Sequence, residues 1–401
     1  MSSDSLKRTE TVEIIKDAAH KASLLNSSET RKNDFSYPPF RVVGGGSKDF
    51  YGEVLKGVPL PTSAYQGILS YEPSELYITA LSGTPLKEIE AVLEESGQYL
   101  PFESPNFNGA STIGGVVAAG ISGPARASVG AVRDYVLGLK MINGRAQELV
   151  FGGQVMKNVA GYDVSRLLCG SWGTLGLITE VSLKVLPKAL AERTIEIEVE
   201  QEKAIQLLSK WGQTAVPINA SAWESRAMES GVPSLNVRLR GAIAAVQAGG
   251  QWIAKQCALE NLHATDVDAH QAQKFWYGFK NQTAQFFVDP PNQEDCLWRL
   301  SVPSTTLEIK IPGITSIKSQ SFEWSAAQRW FWAPVELRDK IQSVAAGLGG
   351  SAVLWRTSQN EGADQKHAGV FPKLTPPQQR IQKAMQKEFD PWGLFNTQRL
   401  G

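Results

Sequence analysis

Glycines pace the stretch from Pro101 to Pro187, and they fall at the ends of apolar runs instead of being scattered through them. No other feature constrains the chain as much, because glycine at an element boundary permits positive φ or lets a ligand approach the backbone. Ser111, Thr112, Gly114 and Gly115 open a small-residue apolar segment, Ile113 to Ile121, that can begin a helix. Amides left free at a helix start suit a pyrophosphate, while the same residues also suit a tight turn that packs a helix. Upstream, Phe40-Arg41-Val42-Val43 reads as a short buried strand running straight into Gly44-Gly45-Gly46-Ser47-Lys48. A strand followed by glycines, a hydroxyl and a lysine presents consecutive amides to an anion. The Walker spacing is absent and the Rossmann fingerprint is only weakly matched. Two separate glycine-rich cradles point to a dinucleotide gripped from two sides.

Hydrophobic periodicity organises the remainder. Residues 1–35 are polar, with Ile14-Ile15 the strongly apolar pair before Leu24, and read as a frayed helix or an arm. Leu76–Leu81 reads as a strand ended by Ser82-Gly83. A helix follows through Leu86, Ile89 and Leu93, with Thr84 as N-cap, Pro85 at the first helical position and Gly97 closing it. Val136–Ile142 and Gln147–Phe151 form a hairpin across Asn143-Gly144, since both turn residues tolerate positive φ. Alternation from Leu177 to Val185 marks a half-buried strand that Pro187 ends, which places a domain boundary near Lys188. The domains are then 36–188 and 189–401.

In the second domain, Ile195–Glu200 and Leu235–Arg240 alternate as strands, and Lys203–Gly212 and Ile243–Leu259 read as helices. This order implies an antiparallel sheet covered by helices on one face. Phe275, Trp276, Tyr277, Phe279, Phe286 and Phe287 form an aromatic stripe best read as packing. Trp324, Trp330, Phe331 and Trp332 form a second cluster, and so much aromatic surface points weakly to a partner interface. A last helix covers Thr375–Phe389, ended by Asp390-Pro391-Trp392-Gly393.

Lys plus Arg and Asp plus Glu number 40 each, so no net field favours nucleic acid or an acidic membrane. Cys169, Cys257 and Cys296 lie far apart, which excludes an iron–sulfur cluster or cysteine-only zinc site built by this chain alone. No metal site is expected. The polar N-terminus lacks a signal-like apolar region, and no apolar run near the glycine loops is long enough to span a bilayer. A cytoplasmic location is expected, with any attachment to the inner membrane made through partners.

VVGGGS, PFESPNFNGASTIGG, VRDYVLGLKMING, KNVAGYDVSRLLCGS and GTLGLITEVSLKVLP, in this order, resemble the FAD-binding module of the vanillyl-alcohol-oxidase/p-cresol-methylhydroxylase (PCMH) type. The run GGQVMKNVAGYDVSRL, preceded by SGPARASVGAVRDYVLG, is most similar to the FAD-binding E-subunit family of bacterial glycolate oxidases (glycolate dehydrogenases). The likeness continues through FWYGFKNQTAQFF, WRLSVPS and FDPWGLFNTQRL, and so leaves out only the N-terminal arm. It implies an α+β fold: a PCMH-type FAD-binding domain of two α+β subdomains, then a C-terminal antiparallel-sheet domain covered by helices. It also implies non-covalent FAD, since Cys169 in RLLCG reads as a buried small hydrophobe and no histidine lies in the FAD domain.

By motif position, Gly44, Gly45, Gly46, Ser47 and Lys48 would hold one phosphate, and Ser111, Thr112, Gly114 and Gly115 form the second phosphate loop. Gly176 and Ile178, in the Gly173–Ile178 turn, would face the adenosine or ring portion. Gly161, Tyr162 and Asp163 fall where the family has its GYD element. Arg133 and Asp134 are either flavin neighbours or a surface ion pair. Lys157 and Arg133 are candidates for a positive group near the flavin N1–C2=O edge, with a solvated lysine the simpler reading of Lys157.

The resemblance implies a complex with a sister flavoprotein subunit that oxidises glycolate to glyoxylate and an iron–sulfur subunit that carries electrons onward. Two departures bear on this chain's share. Its histidines (His20, His263, His270 and His367) lack the paired spacing of related 2-hydroxy-acid dehydrogenases, so no catalytic base is assigned. Trp172 stands where broader relatives carry an acidic residue in the GS-x-GTLG element. The rival readings are a self-sufficient FAD-dependent 2-hydroxy-acid dehydrogenase, a scaffold without flavin, and, more remotely, a sugar-acid or aldonolactone oxidoreductase on the same fold.

Overall fold

The computed structural model describes residues 3–27, 38–153, 163–225, 232–314, 317, 319–359, 364–367, 369–395 and 397–401. The chain begins with α1 (Ser3–Ser27), β1 (Phe40–Val43) and β2 (Val58–Pro61), and the two strands pair in parallel. The polar N-terminus is more than an arm. Ile15, Ala18 and Ala19 of α1 are buried in one cluster with Phe40, Leu60, Leu81, Ile142, Leu177, Leu394 and Phe395. Three small or branched residues on one stripe suffice to dock an otherwise polar helix.

Next come β3 (Ile68–Glu72), β4 (Tyr77–Leu81), α2 (Leu86–Glu95), β5 (Gln98–Tyr99), α3 (Ile113–Ala119), α4 (Arg126–Val129), β6 (Val136–Ile142), β7 (Glu148–Gly152), α5 (Val164–Leu167), β8 (Leu177–Lys184) and β9 (Leu186–Pro187). Strands β3-β4-β8-β6-β7 form an antiparallel sheet, and β5 pairs with β9. Leu86, Ile89 and Leu93 of α2 and Ile113, Val116 and Val117 of α3 close a core against Ile78, Leu139, Met141, Val181 and Leu183 of the sheet. Pro85, not Thr84, is the N-cap of α2. The Thr84 hydroxyl is instead turned inward, donating to Leu81 O at 2.7 Å and accepting from Gly67 N at 2.9 Å. The β6–β7 turn is wider than the Asn143-Gly144 pair suggests. The Asn143 carboxamide oxygen accepts from Arg145 N and Gln147 N, each at 2.9 Å, and Ala146 carries the positive φ of 56°.

Beyond residues 188–190 the chain continues through β10 (Ala191–Glu198), α6 (Gln201–Trp211), β11 (Ile218–Glu224), β12 (Ser234–Gly241), α7 (Ile243–Leu259), β13 (Ala264–Val267), α8 (Ala269–Asn281), α9 (Gln285–Val288), β14 (Cys296–Ser301), β15 (Gln320–Glu323), β16 (Gln328–Ala333), α10 (Arg338–Gly347), β17 (Ser351–Arg356) and α11 (Pro376–Phe389). One antiparallel sheet of eight strands results, in the order β13-β10-β12-β11-β15-β16-β14-β17. Alternation along β14, β16 and β17 sends Trp298, Phe331 and Leu354 to a core with α10. It sends Leu297, Trp330, Trp332 and Trp355 to the opposite face, with Trp276, Phe279 and Phe287. The sheet is therefore covered on both faces rather than one. Trp330, Phe331 and Trp332 belong to its interior and form no exposed partner surface. Among the described residues, no helix is long and apolar enough to cross a membrane.

The two sheets are joined by a buried ion cluster. Glu103, on the loop before α3, accepts from the Arg238 guanidinium at 2.7 and 2.9 Å and from Arg240 at 3.2 Å, both residues being on β12. Burial alone would push the Glu103 carboxyl up, but Arg238 and then Arg240 override it and hold the group below the usual carboxylate range. Removing one partner of a buried pair leaves an uncompensated charge, so Glu103→Gln is expected to destabilise the chain by about 3–5 kcal/mol. Denaturant unfolding checks this, and a loss below about 1 kcal/mol would assign the cluster a minor role. Because the folded pKa is depressed, the stabilisation is present above the unfolded glutamate value. It is lost as pH falls through the folded value.

Candidate functional site

The two glycine loops meet. Gly44–Lys48 leaves β1 and lies directly on the Ala110–Thr112 segment. A Cβ on Gly45 would sit 1.5 Å from Ala110 O, so only glycine allows this approach. The Ser47 and Ser111 hydroxyls are 3.0 Å apart, and the Lys48 ammonium donates to Ser111 Oγ at 2.8 Å. The floor of the resulting cleft is Gly114, whose missing side chain admits Ser82: a Cβ there would meet Ser82 Cβ at 2.4 Å. Thr62 and Ser82 close one side, and Trp172, Gly173, Gly176 and Ile178 the other. The cleft holds about 670 Å³ of non-atom space, part of it open to solvent.

Where the free amides lie differs from the sequence expectation. At the start of α3, Ile113 N donates to Thr84 O, Gly114 N to Ser82 O, and Gly115 N to the Thr112 side chain that caps the helix. That helix start is thus already satisfied, because it is stitched to the loop between β4 and α2. In the first loop, the amides of Gly45, Gly46, Ser47 and Lys48 have no partner among the described residues. The anion-ready backbone is in Gly44–Lys48, and the Ser111–Gly115 loop contributes small surfaces and hydroxyls.

Two cations stand beside those amides. Lys48 is buried, and Arg399, near the C-terminus, donates to Lys48 O and Tyr51 O. Burial, then the Arg399 charge, pulls the Lys48 ammonium down to about 8. Asp49 is the near counter-charge, at 3.2 Å from Arg41 and 3.8 Å from Arg399. The Arg399 Nε and Ser82 Oγ atoms are buried with no hydrogen-bond partner among the described residues. Unsatisfied buried donors next to two adjacent cations cost free energy until an acceptor-rich anion arrives.

Of the residues singled out from sequence, Gly44, Gly45, Gly46, Ser47, Lys48, Thr112, Gly114, Gly115, Gly176 and Ile178 line this one cleft, and Ser111 bonds to Lys48 behind it. Arg133 and Asp134 do not line it. Both are exposed on a short 3₁₀ turn, where the Asp134 carboxylate accepts from Ala131 N at 2.8 Å. Asp163 is an exposed N-cap for α5, bonded to Arg166 N and Ser165 Oγ. Gly161, Tyr162 and Lys157 lie outside the described residues. The four histidines are exposed, and none lines the cleft. Sequence reasoning missed Arg399, Ser82 and Thr62. Arg399 lies 351 positions from the lysine whose carbonyl it holds, so no local pattern could announce it.

A model described as an FAD binding domain matches residues 34–152. Glycolate oxidase subunit GlcE of Escherichia coli (strain K12) is 37% identical over 362 residues, covering 90% of this chain and 92% of that protein. Glycolate oxidase subunit GlcD of Bacillus subtilis (strain 168) is 34% identical over 128 residues, or 32% of this chain and 27% of its own length. Among solved structures, an alkyldihydroxyacetonephosphate synthase covers 89% of this chain, with 72% of its own length matched, at a TM-score of 0.61 and 12% identity. That likeness concerns the fold alone. The GlcE match extends through both sheets of the molecule. The chain is an FAD-binding oxidoreductase subunit and belongs to the family of glycolate oxidase subunit GlcE.

Proposed function

We propose that this chain carries non-covalent FAD in the glycine-lined cleft and serves as an electron-transfer subunit of a glycolate oxidase complex. In that complex a sister flavoprotein subunit oxidises glycolate to glyoxylate, and an iron–sulfur subunit takes the electrons onward. The observation that carries the reading is the set of unsatisfied donors. Four amides, Arg399 Nε and Ser82 Oγ, all without partners among the described residues, lie with the Lys48 ammonium where a diphosphate would supply acceptors. Bound FAD would supply the redox chemistry, accepting and releasing electrons at its ring.

The chain's own groups divide the work of holding it. Lys48 and Arg399 neutralise the diphosphate, and Ser47 and Ser111 orient Lys48. Gly114 and Gly115 let the cofactor lie against the backbone. Trp172, held at a φ of 54° with its ring 4.9 Å from that of Tyr51, presents an apolar wall where an acidic group would repel electron density. Non-covalent attachment is supported by Cys169, which is buried, lies outside the cleft lining and has its thiol pushed up to about 11 by burial. With all four histidines exposed away from the cleft, no imidazole is placed to take a hydroxyl proton there. Electrons are therefore proposed to arrive from a partner rather than from an acid bound at this cleft. The proposed setting is the cytoplasm, with any contact to the inner membrane made through partners.

Three outcomes are expected. Gly115→Asp has room to fold, since a Cβ there meets Thr112 Oγ1 at 3.1 Å, but it places a carboxylate in the cleft. FAD affinity, read from bound flavin absorbance, is expected to fall about 100-fold or more, equivalent to about 2.8 kcal/mol. Undiminished flavin would remove the cleft assignment. FAD affinity of the wild-type chain is also expected to fall as pH rises through about 8, because Lys48 loses its proton there when no anion is bound. The apo chain is expected to gain stability over the same range, since the unfolded lysine still binds a proton that the folded one does not. Thermal melts and FAD titrations at several pH values separate the two trends. Finally, the isolated FAD-loaded chain is expected to keep its visible flavin band when glycolate is added without oxygen, and to bleach once the partner subunits are supplied. Bleaching of the chain alone would favour the self-sufficient dehydrogenase.

A further inference from the structure

Helix α11 has 14 residues, and none of them is buried. Its first turn is closed by its own residues, with Thr375 N and Oγ1 donating to Gln378 Oε1 at 2.9 and 2.8 Å. Among the described residues, its hydrogen bonds to the rest of the chain lie at the other end, where Gly144 N donates to Phe389 O at 2.8 Å and Arg145 donates to Glu388 O. The Phe389 ring packs there on Phe151. A helix of this length is marginal in water on propensity alone, and in folded proteins it takes its stability from a buried face. α11 has no such face.

The side it turns towards the molecule is polar. Gln379, Gln382, Lys383 and Gln386 follow the i, i+3, i+4, i+7 spacing of one helix face, and all four line a groove of about 920 Å³ that is open to solvent. Packing against a core would call for apolar residues at these positions. Residues 371–374 and the tail, residues 398–401, form the other walls. Lys56, Lys366 and Lys373 stand around the groove with Lys383, and Glu53 is the one acidic side chain in the lining. Glu53 is already engaged, its Oε1 accepting from Val370 N at 2.7 Å. Lys56 donates to Gln398 Oε1 at 3.3 Å and Lys366 to Phe50 O at 2.6 Å, both neutral acceptors. Lys373 and Lys383 are exposed, and neither makes a hydrogen bond or ion pair with a described residue. The groove is therefore cationic, with Phe371, Leu374 and Leu400 supplying apolar wall between the lysines.

We propose that an acidic segment of a partner subunit docks in this groove, between α11 and the C-terminal tail, with its carboxylates on the lysines and its apolar side chains on Phe371 and Leu374. The proposal rests on the reading of this chain as one subunit of a complex. Lysines interleaved with apolar wall suit a segment that alternates Asp or Glu with apolar residues. The carboxamides of Gln382 and Gln386 can both donate to its backbone and accept from it. A concave wall does not suit a flat bilayer. Phe371 is already engaged edge-on with Tyr51 at 5.6 Å, which leaves no phenyl ring in the lining for base stacking. The groove also shares a wall with the FAD cleft. Glu53 N donates to Arg399 O at 3.1 Å, and the Arg399 guanidinium holds Lys48 O and Tyr51 O. A docked segment thus lies against the tail that carries Arg399.

The test uses the FAD-loaded full chain with its partner subunits. A carbodiimide, which joins an ammonium to a carboxylate without a spacer, is expected to link Lys373 or Lys383 to Asp or Glu residues of a partner, as read by mass spectrometry. Lys373→Glu/Lys383→Glu is expected to weaken assembly about 10-fold or more at low salt, with the loss shrinking as salt rises. Lys255→Glu/Lys274→Glu makes the same charge change at exposed positions on α7 and α8, and is expected to leave assembly unchanged. Circular dichroism and flavin content check that both variants are folded and loaded. Assembly of the groove variant at wild-type affinity, cross-links that miss both lysines, or an equal loss in the control variant would each overturn the proposal. So would binding of a single-stranded oligonucleotide or of phosphatidylglycerol vesicles that is lost in the groove variant, since the lysines would then serve another class of partner. A wild-type chain that fails to assemble with the partner subunits would overturn the complex reading, and this proposal with it.

Discussion

The bridge from Glu103 to Arg238 and Arg240 is the constraint on which the two-sheet arrangement depends. It is a polar contact in the seam between two otherwise apolar cores, and charges taken out of water there must find partners in one geometry only. Glu103 itself has a φ of 46°, and Gly123 packs so closely that a Cβ would lie 2.3 Å from Glu103 O. The carboxylate also accepts from Ala125 N, which fixes the loop leading into α4. Asn281 Oδ1 accepts from Asn106 N three positions further on, and Trp324 Nε1 donates to Gly123 O. The seam is thus stitched at several points along Glu103–Gly123, the segment that also carries the Ser111–Gly115 loop.

That coupling explains why the cleft has its form. Because Ser111 N donates to Asn106 Oδ1, Ile113 N to Thr84 O and Gly114 N to Ser82 O, the amides of Ser111–Gly115 are used up in holding the loop still. The first loop, held by Arg399, by side-chain bonds to Ser111 and by short-range turns, keeps the amides of Gly45–Lys48 free of partners among the described residues. In the proposed cleft, anion binding would be a division of labour. One loop supplies donors, the other supplies a rigid small-residue floor, and Lys48 spans the two through Ser47 and Ser111. Electrostatics point the same way. Lys48 is held well below its ordinary value by burial and by Arg399, an arrangement that is unfavourable alone and relieved by an anion.

How much of this was legible in the sequence follows from the range of the forces involved. The strands at Phe40–Val43, Val136–Ile142 and Leu177–Lys184 and the helix at Ile243–Leu259 follow local hydrophobic patterns, and the sequence alone shows them. The two glycine loops were legible for the same reason. Their direct contact was not, because it depends on the chain placing β1 beside the Ala110–Thr112 segment. Thr84 was misread as a cap since its spacing is right, yet the pull of Gly67 and Leu81 turned its hydroxyl inward. The Trp330–Trp332 run read as surplus aromatic surface because what covers it, α8 and α9 on one face of the sheet and α10 on the other, is set by the tertiary fold and not by the local pattern. Arg399 and Glu103 act across hundreds of residues or between sheets, where no periodicity reaches.

The aromatic layer behind the cleft carries a physical consequence. Tyr51 packs against Trp172 on one side and Trp355 on the other, and Phe371 meets it edge-on at 5.6 Å. The guanidinium groups of Arg399 and Arg299 lie over the outer faces of this layer, over Trp172 at 4.9 Å and over Trp355 at 4.5 Å. The three rings are tilted against one another, at 38° and 50°, and each guanidinium gains from a negative ring face. Arg399 would meet an anion in the cleft with its side chain already ordered by Lys48 O and Tyr51 O, so less conformational entropy would be lost on binding. The same layer raises the Tyr51 hydroxyl above its ordinary value through burial, against the pull of Arg299 and Arg399. It therefore stays a neutral phenol, and the wall it forms adds no charge to either side.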